Sequence, residues 1–252
     1  MDLIRSIKAD FCKLRHTSVL WIHILIPLIG AGVFLGYYSF SPWSAISKIK
    51  GYFEVLALVF PLLIGVICSM VISQEEQAGN FQEILTGTTW RGTTFLSKLI
   101  LLIFGAIFSI SIALIVFVVG FHYILDQGNF SISIYVHEAF ALLLGNIFLY
   151  ILHIYLSLRF GKGASIGLGI VGVTISALML TGLGDEIWKI TPWAWGCRLS
   201  DYAILNQIDP SIYNMLQGEI HQGIINAIVA TIIALILSLF WFSRWEGRKS
   251  YE

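Results

Sequence analysis

Charge is scarce in this chain. Asp, Glu, Lys and Arg make up 12% of its 252 residues, against roughly a quarter in soluble domains. The formal net charge is zero, so total charge says nothing about nucleic acid or an anionic surface and its distribution matters more; no nucleic-acid partner is expected. Cysteine is equally sparse. Cys12, Cys68 and Cys197 stand far apart, which excludes a disulfide framework and a cysteine metal site. Low-complexity tracts, internal repeats and a stretch long and polar enough for a soluble domain are also missing.

Long apolar runs are what the chain has instead. Hydrophobic residues reach 57% and the mean hydropathy is +0.83. Six runs contain no Asp, Glu, Lys or Arg: Val19–Tyr38, Val55–Ser73, Leu99–Leu125, Ala139–Leu158, Ala164–Gly184 and Gly223–Ser243. They hold 19 to 27 residues each, and about 20 helical residues cross the roughly 30 Å hydrocarbon core. A lipid-exposed backbone must satisfy its own hydrogen bonds, which selects helices. The alternating ten-residue segments of a β-barrel are absent. The expected fold is an all-α membrane protein, a single transmembrane domain over 1–252 with six transmembrane helices. The basic, then apolar amino terminus reads as a retained anchor, because Val19–Tyr38 is too long for a signal peptide and no small-x-small site follows.

Six spans put both ends on one side. That side carries Arg5, Lys8, Lys13, Arg15, Arg91, Lys98, Arg159, Lys162, Arg244, Arg248 and Lys249; the other carries Lys48, Lys50, Lys189 and Arg198. Basic residues collect on the cytoplasmic side, so both termini are expected in the cytoplasm of a cell whose membrane this protein crosses several times. Residues 1–17 are expected to form an amphipathic helix at the inner interface, with Leu3, Ile4, Ile7, Phe11 and Leu14 at helical spacing. Residues 74–98 form the longest cytoplasmic loop. Residues 185–222 form an extracellular segment carrying Trp188, Trp193, Trp195, Tyr202 and Tyr213.

Enzyme patterns fail on inspection. Gly167-Leu168-Gly169-Ile170-Val171-Gly172 matches a dinucleotide fingerprint, but it lies inside an apolar run with no strand before it. Small residues there, such as Gly163 and Gly167, are expected to let a neighbouring helix approach. His137-Glu138 is followed by Ala141 where a zinc motif needs its second histidine. Gly161-Lys162-Gly163 lacks the rest of a P-loop. No catalytic, cofactor-binding or metal-ligating residue is expected, and any ATP and Mg would sit on a partner. With no charge inside the runs, ion-coupled carriage is disfavoured. Asn146 and His153 share a helix face; they either bond between helices or line a path.

The cytoplasmic loop opens with Glu75 and Glu76, is punctuated by Gly79, and carries an apolar stripe of Phe81, Ile84 and Leu85 with Gln82 between, ahead of Arg91. Such a short amphipathic helix either docks in a groove of a soluble partner or rests on the lipid. The sequence from Glu75 or Glu76 through Gly79, Leu85 and Arg91 to Lys98 resembles the loop of type-2 ABC transporter permeases; Thr89-Trp90 stands where that family often has a proline. The likeness is greatest to the permeases of lantibiotic immunity transporters, G-type more than E-type. It is carried by Lys8-Ala9-Asp10-Phe11 with Lys13 and Leu14, by Leu20-Trp21-Ile22-His23, by Glu76-Gln77-Ala78-Gly79-Asn80-Phe81-Gln82 and by Pro192-Trp193-Ala194-Trp195.

This resemblance implies an ABC ATPase dimer as partner and a second, different permease subunit. It implies a cationic lantibiotic peptide expelled from the membrane lipid of its bacterial producer, and Glu75, Glu76, Gly79, Phe81, Gln82, Ile84, Leu85 and Arg91 as the ATPase-coupling residues. The segment 185–222 has a formal charge of minus three, so Asp185, Glu186, Trp188, Trp193, Trp195 and Asp201 become possible peptide contacts. Another peptide or a hydrophobic drug as cargo, and a receptor that sequesters peptide without transport, are the alternatives.

Overall fold

The computed structural model describes residues 2–15, 17–86, 90–128 and 130–248. Met1 and His16 of the expected 1–17 helix, Gly87, Thr88 and Thr89 of the loop, and the basic Lys249 lie outside them. The described residues form ten α-helices and no strand. They are α1 (Asp2–Leu14), α2 (Ser18–Tyr38), α3 (Ala45–Gln77), α4 (Gln82–Thr86), α5 (Arg91–Val119), α6 (Ile132–Gly145), α7 (Ile147–Phe160), α8 (Lys162–Met179), α9 (Pro192–Ile208) and α10 (Pro210–Ser243).

Among the described residues, six stretches are long and apolar enough to cross a membrane: α2, α3, α5 with its π-helical extension to Ile124, α6 with α7, α8, and α10. The six runs lie within these helices or overlap them. The helices also run on past the first charge at which each run ends, so α3 includes Lys48, Lys50 and Glu54, and the fourth span begins at Ile132 and includes Glu138. The expectation of charge-free spans is therefore corrected. A run defined by lacking charge stops where charge starts, whereas a helix stops only where its backbone bonding stops.

α3 is the central strut. Its 33 residues extend about 50 Å at 1.5 Å per residue, and it packs against α8, α7 and α9. Without a hydrophobic drive between helices in lipid, close approach through small residues carries such contacts. The stripe that does so on α8 is Ser165, Gly169, Gly172 and Ser176, all buried. A Cβ on Gly169 would meet the Pro61 carbonyl at 3.0 Å and one on Gly172 would meet Trp193 at 2.6 Å. Gly163 and Gly167 have nothing within 4 Å of such a Cβ, so the packing glycines differ from the expected pair. The helix is rotated so that the later small residues face α3.

Asn146 divides the fourth span. It caps both α6 and α7, and its side chain donates to the Leu142 carbonyl at 2.7 Å. At this break α6 crosses α9 with backbones almost touching: a Cβ on Gly145 would lie 2.6 Å from Gly196 Cα. His153 settles on the bonding alternative. Its Nδ1 is 3.0 Å from Ser165 Oγ, which donates to the Gly65 carbonyl at 2.9 Å, joining α7, α8 and α3.

The crossing predicts a contrast. Gly145→Ala should destabilise the detergent-solubilised protein by about 1–3 kcal/mol through overpacking against backbone, while Gly167→Ala should leave it unchanged. Thermal unfolding of both variants checks this; equal melting would sink the close-crossing account.

Candidate functional site

The end of the bundle where α1 meets the chain's last described residues is organised by buried charge. Lys98, at the start of α5, lies 2.7 Å from Glu75 of α3 and 3.2 Å from Asp10 of α1. Ser97 donates to the other Asp10 oxygen at 2.6 Å, and Lys13 reaches Glu75 at 3.2 Å. Lys98, Glu75 and Asp10 are all buried. Ions removed from water persist only when paired and hydrogen-bonded, so the network fixes the interfacial helix to two spans. It also gives Asp10, Lys13, Glu75 and Lys98 a shared role that their separation in sequence conceals. Ile4 and Phe11 of α1 stay exposed, as a helix at a lipid interface requires.

Beyond α3 the chain turns sharply. Gly79, Asn80 and Phe81 all have positive φ, at 125°, 49° and 66°, a conformation uncommon outside glycine. The amide of Phe81 donates back to the Glu75 carbonyl at 3.2 Å and that of Asn80 to Glu76 at 2.8 Å, closing the helix end as a Schellman turn does. This turn throws Phe81 inward. Its ring meets Trp245 edge-on at 5.1 Å, and the Arg248 guanidinium lies 5.6 Å from its centre. Phe81 and Ile84 are buried, with 3% and 5% of their surface exposed.

The apolar stripe of α4 is therefore turned onto this chain's own carboxyl-terminal segment, not outward to a partner's groove. α4 has only five residues and lies directly beneath the bundle, so its apolar side finds intrachain cover first. Arg91 completes the arrangement, donating to the Trp245 carbonyl at 2.7 Å and the Leu85 carbonyl at 3.3 Å. Arg248 bonds Glu76 at 2.5 Å and the Ser157 carbonyl at 2.7 Å. Of the expected coupling residues, Glu75 is in the charge network, Glu76 and Arg91 are half-buried in these pairs, and Gly79 and Gln82 are exposed. Gln77, Ala78 and Asn80 share that exposed turn, with Trp90 exposed nearby.

The outer segment 185–222 is folded, not a loop. One short 3-10 turn (Trp188–Ile190), α9 and the first turns of α10 occupy it, and α9 packs against α6, α10, α3 and α8. Pro192 at the first position of α9 suits a helix start. Asp209 caps α10 by accepting the amides of Ser211 and Ile212, each at 3.1 Å. The Ser211 hydroxyl and those amides hold its carboxyl below the usual range. Trp188 and Trp195 are buried packing cores; Trp193 is half-buried. Asp201 pairs with Lys50 at 2.7 Å, Asp185 with Arg198 at 2.8 Å and Glu219 with Lys189 at 3.7 Å. The acidic character of the segment is thus largely compensated within the fold. Asp185 and Glu186 remain exposed.

Glu138 is the polar residue whose burial had no place in the sequence reading. It is wholly buried, with one oxygen accepting from Ser200 of α9 and the other unpartnered among the described residues. Its neighbour Asp201 carries the Lys50 pair, so consecutive residues of α9 are tied to α6 and α3. Its signal in the sequence was a lone carboxylate just ahead of an apolar run. Beside this region α6, α7, α9 and α10 enclose a groove of about 530 Å³, with His137, Asn206 and Tyr213 among its polar groups and Leu144, Ile147 and Ile232 among its apolar ones.

The helix count, the reversed loop after the second span and the inner charge network meet in one comparison. The family described as ABC-2 family transporter protein matches residues 6–177. The chain belongs to this family. No curated protein and no solved structure matches it. The match runs from α1 through α8, covering the loop after the second span and five of the six spans. Membership makes the chain a multi-pass membrane permease, which implies pairing with an ABC ATPase.

Lys98→Met should leave Asp10 and Glu75 buried without their cation, a loss of about 3–5 kcal/mol. The expected outcome is a collapsed yield of monodisperse protein by size-exclusion chromatography, partly restored by Lys98→Arg. Normal yield of the Met variant would refute the organising role of the network.

Proposed function

We propose that this chain is the permease subunit of an ABC exporter that clears a cationic lantibiotic peptide from the membrane of its producer, giving self-immunity. The observation that carries the exporter reading is the turn at Gln77–Gln82, exposed except for Phe81, held on the inner end of α3 and backed by the buried charge network. A soluble ATPase reaches such a turn without entering lipid. Orientation follows from the basic residues, eleven on the proposed cytoplasmic side against four opposite. Each of those four has a partner in the fold: Lys48 on the Tyr38 carbonyl, Lys50 on Asp201, Lys189 on Glu219 and Arg198 on Asp185.

ATP and Mg would be held by the ATPase dimer, and closure of that dimer would push the turn. A second, different permease would complete the pathway. The peptide reading rests on the resemblance of Glu76–Gln82 and Pro192–Trp195, and on exposed Asp185 and Glu186 beside half-buried Trp193 as the cargo-facing set. Trp188 and Trp195 support that set from beneath. A different peptide or a hydrophobic drug is the second reading, favoured by the apolar groove, whose lining residues include no carboxylate.

Cells carrying the whole transporter should release added cationic lantibiotic into the medium. Ala78→Arg, on the exposed turn, should abolish release and ATPase co-purification while leaving the membrane level and melting temperature unchanged. Phe81→Asp should instead lower the amount of folded protein, because it buries a charge against Trp245. Undiminished release by Ala78→Arg cells would exclude the turn as the coupling surface. Release of a hydrophobic dye but not of peptide would favour the second reading.

A further inference from the structure

The last helix, α10, is held differently from the other spans. It is a continuous helix of 34 residues, and its most apolar window is 11% buried, the least of the six candidate spans. Two places grip it. Within its outer half, Gly223 lies against the Trp188 ring with no room for a methyl group, and Asn226 donates to the Lys189 carbonyl at 3.2 Å. Just past its inner end, residues 245–248 form the clamp already described: Trp245 on Phe81 and Arg91, Gly247 beside Leu85, and Arg248 on Glu76 and Ser157. Between the two grips a cleft of about 430 Å³ separates α10 from α7, lined by Phe148, Leu152, Ala234 and Leu237.

A stiff rod fixed at two points and loosely packed between them is a lever. From Gly223 the inner arm to Ser243 measures about 30 Å and the outer arm to Pro210 about 20 Å at the helical rise. The outer groove straddles the fulcrum, since Tyr213, Ile220, Ile224, Ile228 and Ile232 of α10 all line it. We propose that α10 is the transmission element: displacement of the part of the turn beyond α3 is passed through the contacts of Phe81 with Trp245 and Arg248 to α10, which pivots at Trp188 and resizes the outer groove. Arg91, Trp245 and Arg248 are then positioning residues for transport. The inference rests on the coupling reading of the Gln77–Gln82 turn.

Two features of the clamp suit this task. Its contacts reach four elements, α3, α4, the start of α5 and the end of α7, so the turn cannot shift against a stationary α10 without breaking several of them together. It also mixes an aromatic edge contact with ion and carbonyl pairs, and such groups have fixed geometry. Discrete arrangements of this kind pass on a displacement, where a purely aliphatic contact would slide.

The test uses the permease assembled with its ATPase in nanodiscs, with Cys12→Ser and spin labels at Asn206→Cys and Ile228→Cys, facing each other across the groove. A non-hydrolysable ATP analogue should shift the measured distance distribution. Trp245→Ala with Arg248→Ala should abolish the shift and peptide release while the ATPase still co-purifies, and Trp245→Phe with Arg248→Lys should restore both. A nucleotide-driven shift that persists in the double-alanine complex overturns the proposal, as does an unresponsive groove pair in a wild-type complex that retains its ATPase. An ATPase that does not associate with wild-type permease instead refutes the coupling reading, and the lever with it.

Discussion

Lys98 holds this structure together at the point where it matters most. Its ammonium sits between Glu75 at 2.7 Å and Asp10 at 3.2 Å, and through them the ends of α3 and α5 and the interfacial helix α1 become one body. A buried ion pair is weak evidence for stability, because desolvation offsets much of the attraction. Its value lies in what it forbids. α1 cannot slide along the interface without stranding a carboxylate, and α3 cannot rotate without moving Glu75 away from two cations. The turn at Gly79–Phe81 therefore projects from a fixed base, so a push on it is delivered to the bundle instead of being absorbed locally.

The outer half obeys a different constraint. There the chain has to bring a polar-capped, aromatic-rich segment down among the spans, and it does so by making backbones touch. Gly145 against Gly196 sets α6 on α9, and Gly172 beneath Trp193 sets α8 on the same helix. Once α9 is this close, Ser200 and Asp201 fall within reach of Glu138 and Lys50. The ions are consequences of the small-residue crossings, which explains why a buried carboxylate is tolerated there at all.

Much of this architecture was legible in the amino-acid order. Six apolar runs yield six spans because hydrocarbon thickness and backbone bonding leave no other solution. The loop at Gly79 was legible because glycine followed by a short apolar stripe marks a reversal. The inward direction of Phe81 was not, since it depends on positive φ at three successive residues and on Trp245, which is 164 positions away. Glu138 went unread for a related reason: a carboxylate at the edge of an apolar run looks like a boundary until a helix from elsewhere covers it. Trp188 and Trp195 read as possible peptide contacts, and only the packing of α9 and α10 makes them interior.

The two halves impose opposite demands on the helices that join them. A permease driven from one side needs a part that stays and a part that moves. α3, the most buried span, is fixed by charge at its inner end and by Lys50–Asp201 at its outer end, so it suits the role of frame. α10 has no ion pair along its apolar length and borders an open groove and an open cleft. In lipid such cavities cost less than in a water-soluble core, because acyl chains fill them without exposing apolar surface to water. Loose packing on one flank is then compatible with a stable fold, and the clamp at residues 245–248 is what prevents it from becoming mere slack. α10 carries none of the ions that fix α3, so its displacement leaves the Lys98 and Lys50 contacts intact.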